Sequence, residues 1–181
     1  MMLELKDASL TIEGRELFKK LSFMALDGQL TCITGPAGSG KTAMVQVMLG
    51  FLPLDDGLVS IDGELLTPRS APVFRRLMAY IPQHRDIVLE PAADNTSGLE
   101  TVWAPYATKH YHPTPIDSSL NTAPMSTKSI IIADDPEPSI INPLRSMANN
   151  GHTVIVTTQC EEIINLSDKI ITLGNHDTVI S

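Results

Sequence analysis

The sequence contains 181 residues, 43% of them apolar, which suits one compact domain with a substantial core and excludes general disorder. The formal net charge is −8 and there is no basic run, so we expect no nucleic-acid partner. Two scattered cysteines, Cys32 and Cys160, exclude a disulfide scaffold and a zinc site, and we expect both to be reduced and buried in strand-like surroundings. No apolar run approaches the about 18 residues of a membrane span. There is also no signal-peptide core, so we expect a cytoplasmic protein or one held peripherally at the inner face of the membrane by a partner.

The first half of the sequence predicts several strands and one strand–loop–helix unit. Residues 2–7 alternate apolar and polar side chains, as a half-buried strand does, and Asp-Gly pairs are typical of the turns between later strands. The predicted strands are residues 2–7, 20–28, 29–35 and 79–83, with a hairpin over residues 57–66. Helical spacing begins after residue 42 and ends at Gly50, and residues 70–78 predict a short helix.

The second half begins with a segment of different character. Residues 91–127 have no sustained period and are rich in Pro, Ser, Thr and Asn, which predicts an irregular insert or long loop. The elements predicted after it are a strand at 129–134, a helix at 139–149, a strand at 152–158, a helix from about 160 and a strand at 168–174. Because strands alternate with helices here, we predict an α/β fold with a mostly parallel sheet.

Residues 35–42, GPAGSGKT, match the phosphate-loop pattern G-x-x-x-x-G-K-[ST]. Glycines let successive backbone N–H groups point to one place, where they bind phosphate oxygens. The lysine adds a charge for the β- and γ-phosphates, the threonine hydroxyl is placed to bind Mg²⁺, and the following helix turns its positive end toward the anion. A glycine-rich turn that binds nothing is the alternative, but the flanking strand and helix favour a nucleotide site. Its predicted residues are Gly35, Pro36, Ala37, Gly38, Ser39, Gly40, Lys41 and Thr42.

The stretch SIIIADD, residues 129–135, is an apolar strand that ends in two carboxylates. In a phosphate-loop fold the strand that carries a Mg²⁺-binding carboxylate ends beside the loop, which makes Asp134 the predicted metal partner. The alternative is that Asp134 and Asp135 cap the next helix. We prefer the metal role, because Ser139 is better placed as the cap and two prolines separate the aspartates from the helix.

With these motifs in order, the chain resembles the nucleotide-binding subunit of an ABC transporter. The matching segments are the opening strands, the Walker A loop at 35–42, GLVSIDGELL at 57–66, the Q-loop in AYIPQ at 79–83, Walker B at 130–135, GHTVIVTT at 151–158 and LSDKIITL at 166–173. They cover about residues 1–90 and 128–174. One Walker A motif indicates only a phosphate-loop NTPase, whereas the ordered set is far more specific.

The resemblance implies a fold, a ligand and partners. The fold would be a phosphate-loop NTPase core of mostly parallel sheet flanked by helices, with an N-terminal antiparallel β subdomain and a truncated helical subdomain. Residues 1–181 would form one domain, in which residues 1–90 carry Walker A and the Q-loop, 91–127 are a shortened insert and 128–181 carry Walker B. The ligands would be ATP and Mg²⁺. The partners would be a membrane-spanning transporter subunit and a second nucleotide-binding subunit, in a homodimer or a heterodimer.

Carried over residue by residue, the resemblance implies further roles and departures. Gln83 would be the Q-loop glutamine that touches Mg²⁺ or the attacking water, and the alternative for it is an ordinary surface glutamine. Asp135 stands where the family has its catalytic glutamate and is shorter by one C–C bond, about 1.5 Å. Gln159 stands at the switch histidine and cannot carry a proton charge. Ile12 stands where an aromatic side chain usually stacks on adenine, and Asn142 replaces the aspartate of the D-loop.

The family's signature sequence, LSGGQ, is absent, because the chain contains no Gly-Gly pair. In this family each nucleotide is held between one subunit's Walker A and the other's signature, so a homodimer would lack the closing half at both sites. We therefore predict an ATP-binding transporter subunit with weak hydrolysis. The alternatives are a non-hydrolysing, ATP-responsive regulatory or assembly module and, less favoured, a small phosphate-loop kinase, for which 91–127 lacks arginines.

Overall fold

A computed structural model describes residues 1–83 and 129–174, and the backbone of residues 179–180. The strands are β1 (Leu3–Ile12), β2 (Arg15–Ala25), β3 (Leu30–Thr34), β4 (Asp56–Ile61), β5 (Glu64–Leu65), β6 (Met78–Ile81), β7 (Ile130–Asp134), β8 (Thr153–Thr157), β9 (Lys169–Thr172) and β10 (Val179–Ile180). The helices are α1 (Lys41–Met48), α2 (Ala71–Arg75), a 3₁₀ turn (Pro138–Ile140), α3 (Ile141–Asn149) and α4 (Glu161–Asn165). The predicted insert 91–127 lies outside the described residues. None of the helices in residues 1–83 and 129–174 is long and apolar enough to span a bilayer.

An antiparallel sheet is built from the N-terminal part of the chain, with strand order β2-β1-β4-β5. β1 and β2 form a hairpin whose two turn residues, Glu13 and Gly14, both have positive φ (51° and 78°). Such a turn matches the twist of the flanking strands. The hairpin buries one face, which includes Leu3, Leu5 and Phe23.

The second sheet has the order β10-β9-β3-β8-β7-β6, and all its pairs are parallel except β10 with β9. Its central strands are buried on both faces, as expected for a parallel sheet covered on two sides. β8 lies between β3 and β7. Parallel strands end at the same edge of a sheet. The loop after β3 and the two aspartates at the end of β7 therefore lie at one edge, with the end of β8 between them.

Two apolar cores cover the two faces of the parallel sheet. The first contains α1, the inner face of the antiparallel sheet and alternate residues of β7, such as Ile130 and Ile132. The second contains the other face of β7, with Ile131 and Ala133, packed against α3 and α4. The sheet that carries the loop and the aspartates is therefore supported from both sides.

The predicted α/β fold is confirmed, including the mostly parallel sheet and the N-terminal antiparallel part. β10 was not predicted. The prediction that Ser139 caps the helix after β7 is wrong, because its hydroxyl donates to Glu137 Oε2 (3.3 Å). A 3₁₀ turn precedes α3, and neither it nor α3 has a side-chain cap.

The prediction of two buried, strand-like cysteines is correct for Cys32 and wrong for Cys160. Cys32 lies inside β3 with no exposed surface, whereas Cys160 precedes α4 and is half-buried. Burial raises the pKa of the Cys32 thiol to about 11, against a smaller lowering by a hydrogen bond with Ser167. Since the thiolate is the reactive form, Cys32 is protected both by its pKa and by its inaccessibility.

We expect one of the two thiols to react with an aromatic disulfide reagent at pH 8 in the native protein, and both to react in denaturant. Cys160→Ser should abolish the native reaction, and Cys32→Ser should leave it unchanged. The measurement is the amount of released thiolate per chain. Native labelling that survives in Cys160→Ser would contradict the packing of β3.

Candidate functional site

The loop between β3 and α1 lies at the carboxyl edge of the parallel sheet. It is residues 35–40, and α1 begins directly after Gly40, whose φ is 96°. No acidic side chain occurs in the first turn of α1. The free N–H groups and positive end of the helix dipole at this point favour an anion.

Gly35 is required by a close approach between the loop and the end of β9. A Cβ at this position would lie 2.2 Å from the carbonyl oxygen of Leu173 and 2.7 Å from Ser39 Oγ. The backbone φ of Gly35 is 147°, a value that residues with a side chain rarely adopt. The loop therefore fits against the sheet only without a side chain here, and its curvature is fixed by that contact.

Ser39 carries a polar group that fits an anion in the loop. The residue is only 7% exposed, and within the described part of the chain Ser39 Oγ has no hydrogen-bond partner. A buried hydroxyl without a partner costs about 1–3 kcal/mol. A phosphate oxygen in the loop would accept from this hydroxyl, so the residues present fit a phosphate group.

The ammonium group of Lys41 lies against the loop itself. Its Nζ donates to the carbonyl oxygens of Gly35 (2.8 Å) and Pro36 (3.0 Å). Gln159 Nε2 donates to the same Gly35 carbonyl, also at 2.8 Å. Two predicted site residues, one from α1 and one from the segment after β8, therefore meet at the first residue of the loop.

Asp134, at the end of β7, is a buried carboxylate that is only 3% exposed. It accepts a hydrogen bond from Thr157 Oγ1 (2.5 Å), at the end of β8, and another from the Thr42 hydroxyl. Burial raises the pKa of Asp134 above 3.8, the charge of Asp135 raises it further, and the two hydrogen bonds and the charge of Lys41 lower it only in part. The charged form of Asp134 is thus under-compensated, and a cation would stabilise it.

The pairing of Thr42 with Asp134 brings together two of the three predicted metal ligands from separate elements. The third, Gln83, donates to Asp135 instead. A hydroxyl and a carboxylate are hard oxygen ligands of the kind that Mg²⁺ prefers. Within residues 1–83 and 129–174, no three His, Cys, Asp or Glu side chains form a group that could hold a metal ion. The donor set suits Mg²⁺, which binds through one or two carboxylates plus the phosphates of a substrate and keeps several waters.

Asp135 is held by three neighbours at the same edge. Its Oδ2 accepts from Gln83 Nε2 (3.0 Å), its Oδ1 accepts from Thr158 Oγ1 (3.3 Å), and its backbone N–H donates to Thr157 O (2.8 Å). Its φ is 45°, an uncommon conformation outside glycine. The structure therefore pairs Gln83 with Asp135, two residues that sequence analysis assigned separately.

Ile12 has a different environment from the other predicted residues. It ends β1 with its side chain 37% exposed, and it pairs across the turn with Arg15. Arg15 Nη1 lies 3.5 Å from the position of a Cβ on Gly38, at the tip of the loop. Sequence analysis missed Arg15, although a two-residue turn at Glu13-Gly14 would have placed it opposite Ile12. It also missed Thr157, whose role depends on strand order and has no local signal.

Comparison with known proteins identifies the family. A model of the ABC transporter family matches residues 18–130. An Fe(3+) ions import ATP-binding protein of Pectobacterium atrosepticum is 33% identical over 84 residues, which are 45% of this chain and 24% of that protein. A cytochrome c biogenesis ATP-binding export protein of Nitrobacter winogradskyi is 41% identical over 89 residues, or 48% of this chain and 40% of that protein. The matched part is thus well under half of each relative.

Solved structures show the same fold. The nucleotide-free ATP-binding cassette of an ABC transporter superposes with a TM-score of 0.69 at 16% identity, and the match covers 98% of this chain and 89% of the other. The ATP-binding subunit of another ABC transporter gives a TM-score of 0.65 at the same identity. Since the family model matches more than half of the residues and the fold agrees, this chain belongs to the ABC transporter family.

Proposed function

We propose that the protein binds MgATP through the loop at residues 35–42 and serves as the ATP-binding subunit of an ABC-type transporter, with weak hydrolysis. The observation that carries this proposal is the meeting of Thr42 with the buried Asp134 beside a loop that contains an unpartnered hydroxyl, Ser39 Oγ. Family membership supports ATP as the nucleotide. The relatives' names, which include iron import and cytochrome c biogenesis export, support a role with a membrane-spanning partner.

In this proposal the loop residues bind and orient the phosphates. Free backbone N–H groups at the start of α1 and the Ser39 hydroxyl donate to phosphate oxygens, and Lys41 exchanges its bonds to Gly35 and Pro36 for the phosphate chain. Thr42 and Asp134 would bind the Mg²⁺ that accompanies the phosphates. A bound Mg²⁺ would supply positive charge that offsets the negative charge of the phosphate chain.

Asp135 is the proposed group that orients the attacking water, and its surroundings support a slow reaction. Its side chain is one methylene shorter than glutamate, and both of its carboxylate oxygens already accept hydrogen bonds. Gln159 donates to a loop carbonyl and cannot accept a proton as histidine would. Gln83, through its bond to Asp135, is the proposed link between the nucleotide and a partner subunit.

A non-hydrolysing, ATP-responsive module is the second candidate function. The observation that favours it is the hydrogen bond from Gln83 Nε2 to Asp135 Oδ2 (3.0 Å). This bond occupies one oxygen of the carboxylate that is proposed to orient the water. In this case the nucleotide would bias the assembly of the protein with a full ATPase subunit. The two candidates share the binding site and differ only in turnover.

Lys41→Ala should weaken MgATP binding at least tenfold, about 1.4 kcal/mol, because it removes the charge at the loop. The measurement is equilibrium binding of radiolabelled ATP with Mg²⁺ present. The matched control is Lys6→Ala, an exposed lysine of β1, which should bind as the wild type does. Absence of wild-type binding at millimolar MgATP, or equal binding by Lys41→Ala, would overturn the proposed function.

Asp134→Asn should stabilise the nucleotide-free protein by about 1 kcal/mol, a rise of about 2–4 °C in Tm, because it removes an under-compensated buried charge. The same change should remove the further stabilisation that Mg²⁺ plus ATP gives to the wild type. Thermal unfolding with and without MgATP measures both effects. Glu64→Gln, an exposed carboxylate on β5, is the control and should change neither.

The pH dependence of the free energy of unfolding tests the role of Asp134 in a second way. Because the folded pKa of Asp134 is raised above 3.8, its contribution to stability is lost as pH rises from about 4 through the raised value. The gain in stability from Asp134→Asn should therefore be small below pH 4 and larger at pH 7. A gain that is independent of pH would contradict the assigned cause.

Asp135→Glu should raise the ATPase rate by about tenfold to a hundredfold, because the longer side chain restores reach toward the water. Asp135→Asn should abolish the residual wild-type rate. Phosphate release at saturating MgATP is the measurement, and Asp56→Glu, at the exposed first residue of β4, is the control. No turnover in either the wild type or Asp135→Glu, with binding intact, would favour the non-hydrolysing module.

A further inference from the structure

The turn between β1 and β2 lies beside the phosphate loop and presents a cation to it. Ile12 and Arg15 are direct partners across the two-residue turn. In an antiparallel pair, side chains directly opposite each other lie on the same face of the hairpin. The turn therefore fixes the backbone position of Arg15 and places its side chain on the same face of the hairpin as Ile12.

Two side chains of β2 contact the loop. Arg15 Nη1 lies 3.5 Å from the Cβ position of Gly38, and Leu17 Cβ lies 3.1 Å from the Cβ position of Gly40. Both glycines have positive φ, 73° and 96°. A Cβ at Gly40 would press on Leu17, so the lack of a side chain there lets the hairpin approach the loop, whereas the 3.5 Å distance at Gly38 is an ordinary contact that places the Arg15 guanidinium beside the loop tip.

The charge of Arg15 is available to a ligand. Its neighbour Glu16 is paired with Lys19 (3.3 Å), and within the described ranges of the chain no carboxylate forms an ion pair with the Arg15 guanidinium. The arginine side chain is exposed at the tip of the loop. In a protein of net charge −8, an unpaired guanidinium beside a phosphate-binding loop is well placed for an anion.

We propose that Arg15, beside Gly38 of the loop, binds the phosphate chain of the nucleoside triphosphate. This inference rests on the proposed function and deepens it. Guanidinium is planar and donates in a fixed fork that matches phosphate oxygens. Ile12, its partner across the turn, offers no aromatic ring to a base, so affinity at this site depends on the phosphates and only weakly on the base.

This assignment predicts the ligand class that the site accepts. MgATP, MgGTP and magnesium tripolyphosphate all carry the phosphate chain and differ in the base. Wild-type protein should bind the two nucleotides with Kd values within about threefold of each other, since Ile12 offers no aromatic ring to stack on the base. A preference for MgATP over MgGTP above about tenfold would overturn the assignment of affinity to the phosphates.

The direct test is Arg15→Ala with three probes: MgATP, MgGTP and magnesium tripolyphosphate. Arg15→Ala should weaken all three about tenfold and by the same factor, because one charge-assisted hydrogen-bonding group is lost. Arg15→Lys, which retains the charge but loses the fork, should recover part of the loss. Arg69→Ala, an exposed arginine before α2, is the matched control and should bind as the wild type does.

The outcomes separate the two proposals. If wild-type protein binds none of the probes, the proposed function fails. If wild type binds and Arg15→Ala binds equally well, only the role of Arg15 fails. If Arg15→Ala weakens MgATP but leaves tripolyphosphate unchanged, the guanidinium stacks on the base and the phosphate assignment is overturned. Because Arg15 is exposed, its variants should unfold at the wild-type Tm, which verifies that binding and not folding has changed.

Discussion

The buried carboxylate of Asp134 is the constraint on which the arrangement of the site depends. A charge in this position is costly unless hydrogen bonds and a cation surround it. Thr157 and Thr42 supply the hydrogen bonds, one from β8 and one from α1, and thereby join the end of β7 to the phosphate loop. The pKa remains raised despite them. The fold thus holds a carboxylate that its neighbours compensate only in part, and the proposed Mg²⁺ would complete that compensation.

The path of the loop at residues 35–40 is also set by the parallel sheet. Its path depends on the absence of a side chain at Gly35, where the backbone lies against the carbonyl of Leu173 on the neighbouring strand segment. That contact connects the loop to β9, while Asp134 is connected to β8. Both supports belong to one parallel sheet that is packed on both faces. The distance between the anion-binding loop and the carboxylate is therefore set by strand order and not by flexible side chains.

Sequence reasoning succeeded where the physical signal is local. The loop at 35–42 and the apolar strand before Asp134 each carry their pattern within about ten residues, and each is found at its predicted place. The strands predicted at 2–7 and 20–28 are also present, but they are Leu3–Ile12 and Arg15–Ala25. It failed where the contact joins distant segments. Thr157 and the Gln83–Asp135 bond depend on which strands are neighbours. Cys160 and Ser139 were misjudged because their burial and capping depend on where α4 and α3 begin, and element ends are weakly encoded.

The proposed binding and chemical roles rest on separate parts of this edge, and so they can change separately. The proposed binding part consists of the loop, Thr42 and Asp134, and a buried hydrogen bond to Thr157 ties Asp134 to the sheet. The proposed chemical part consists of Asp135, Gln83 and Gln159. Gln83 donates an exposed hydrogen bond to Asp135, and Gln159 donates another to a loop carbonyl. Exposed hydrogen bonds contribute little to the free energy of unfolding. Substitutions among these three residues should therefore leave the fold and the phosphate loop intact. A protein of this family can therefore keep a nucleotide site while its hydrolytic residues depart from the family's pattern.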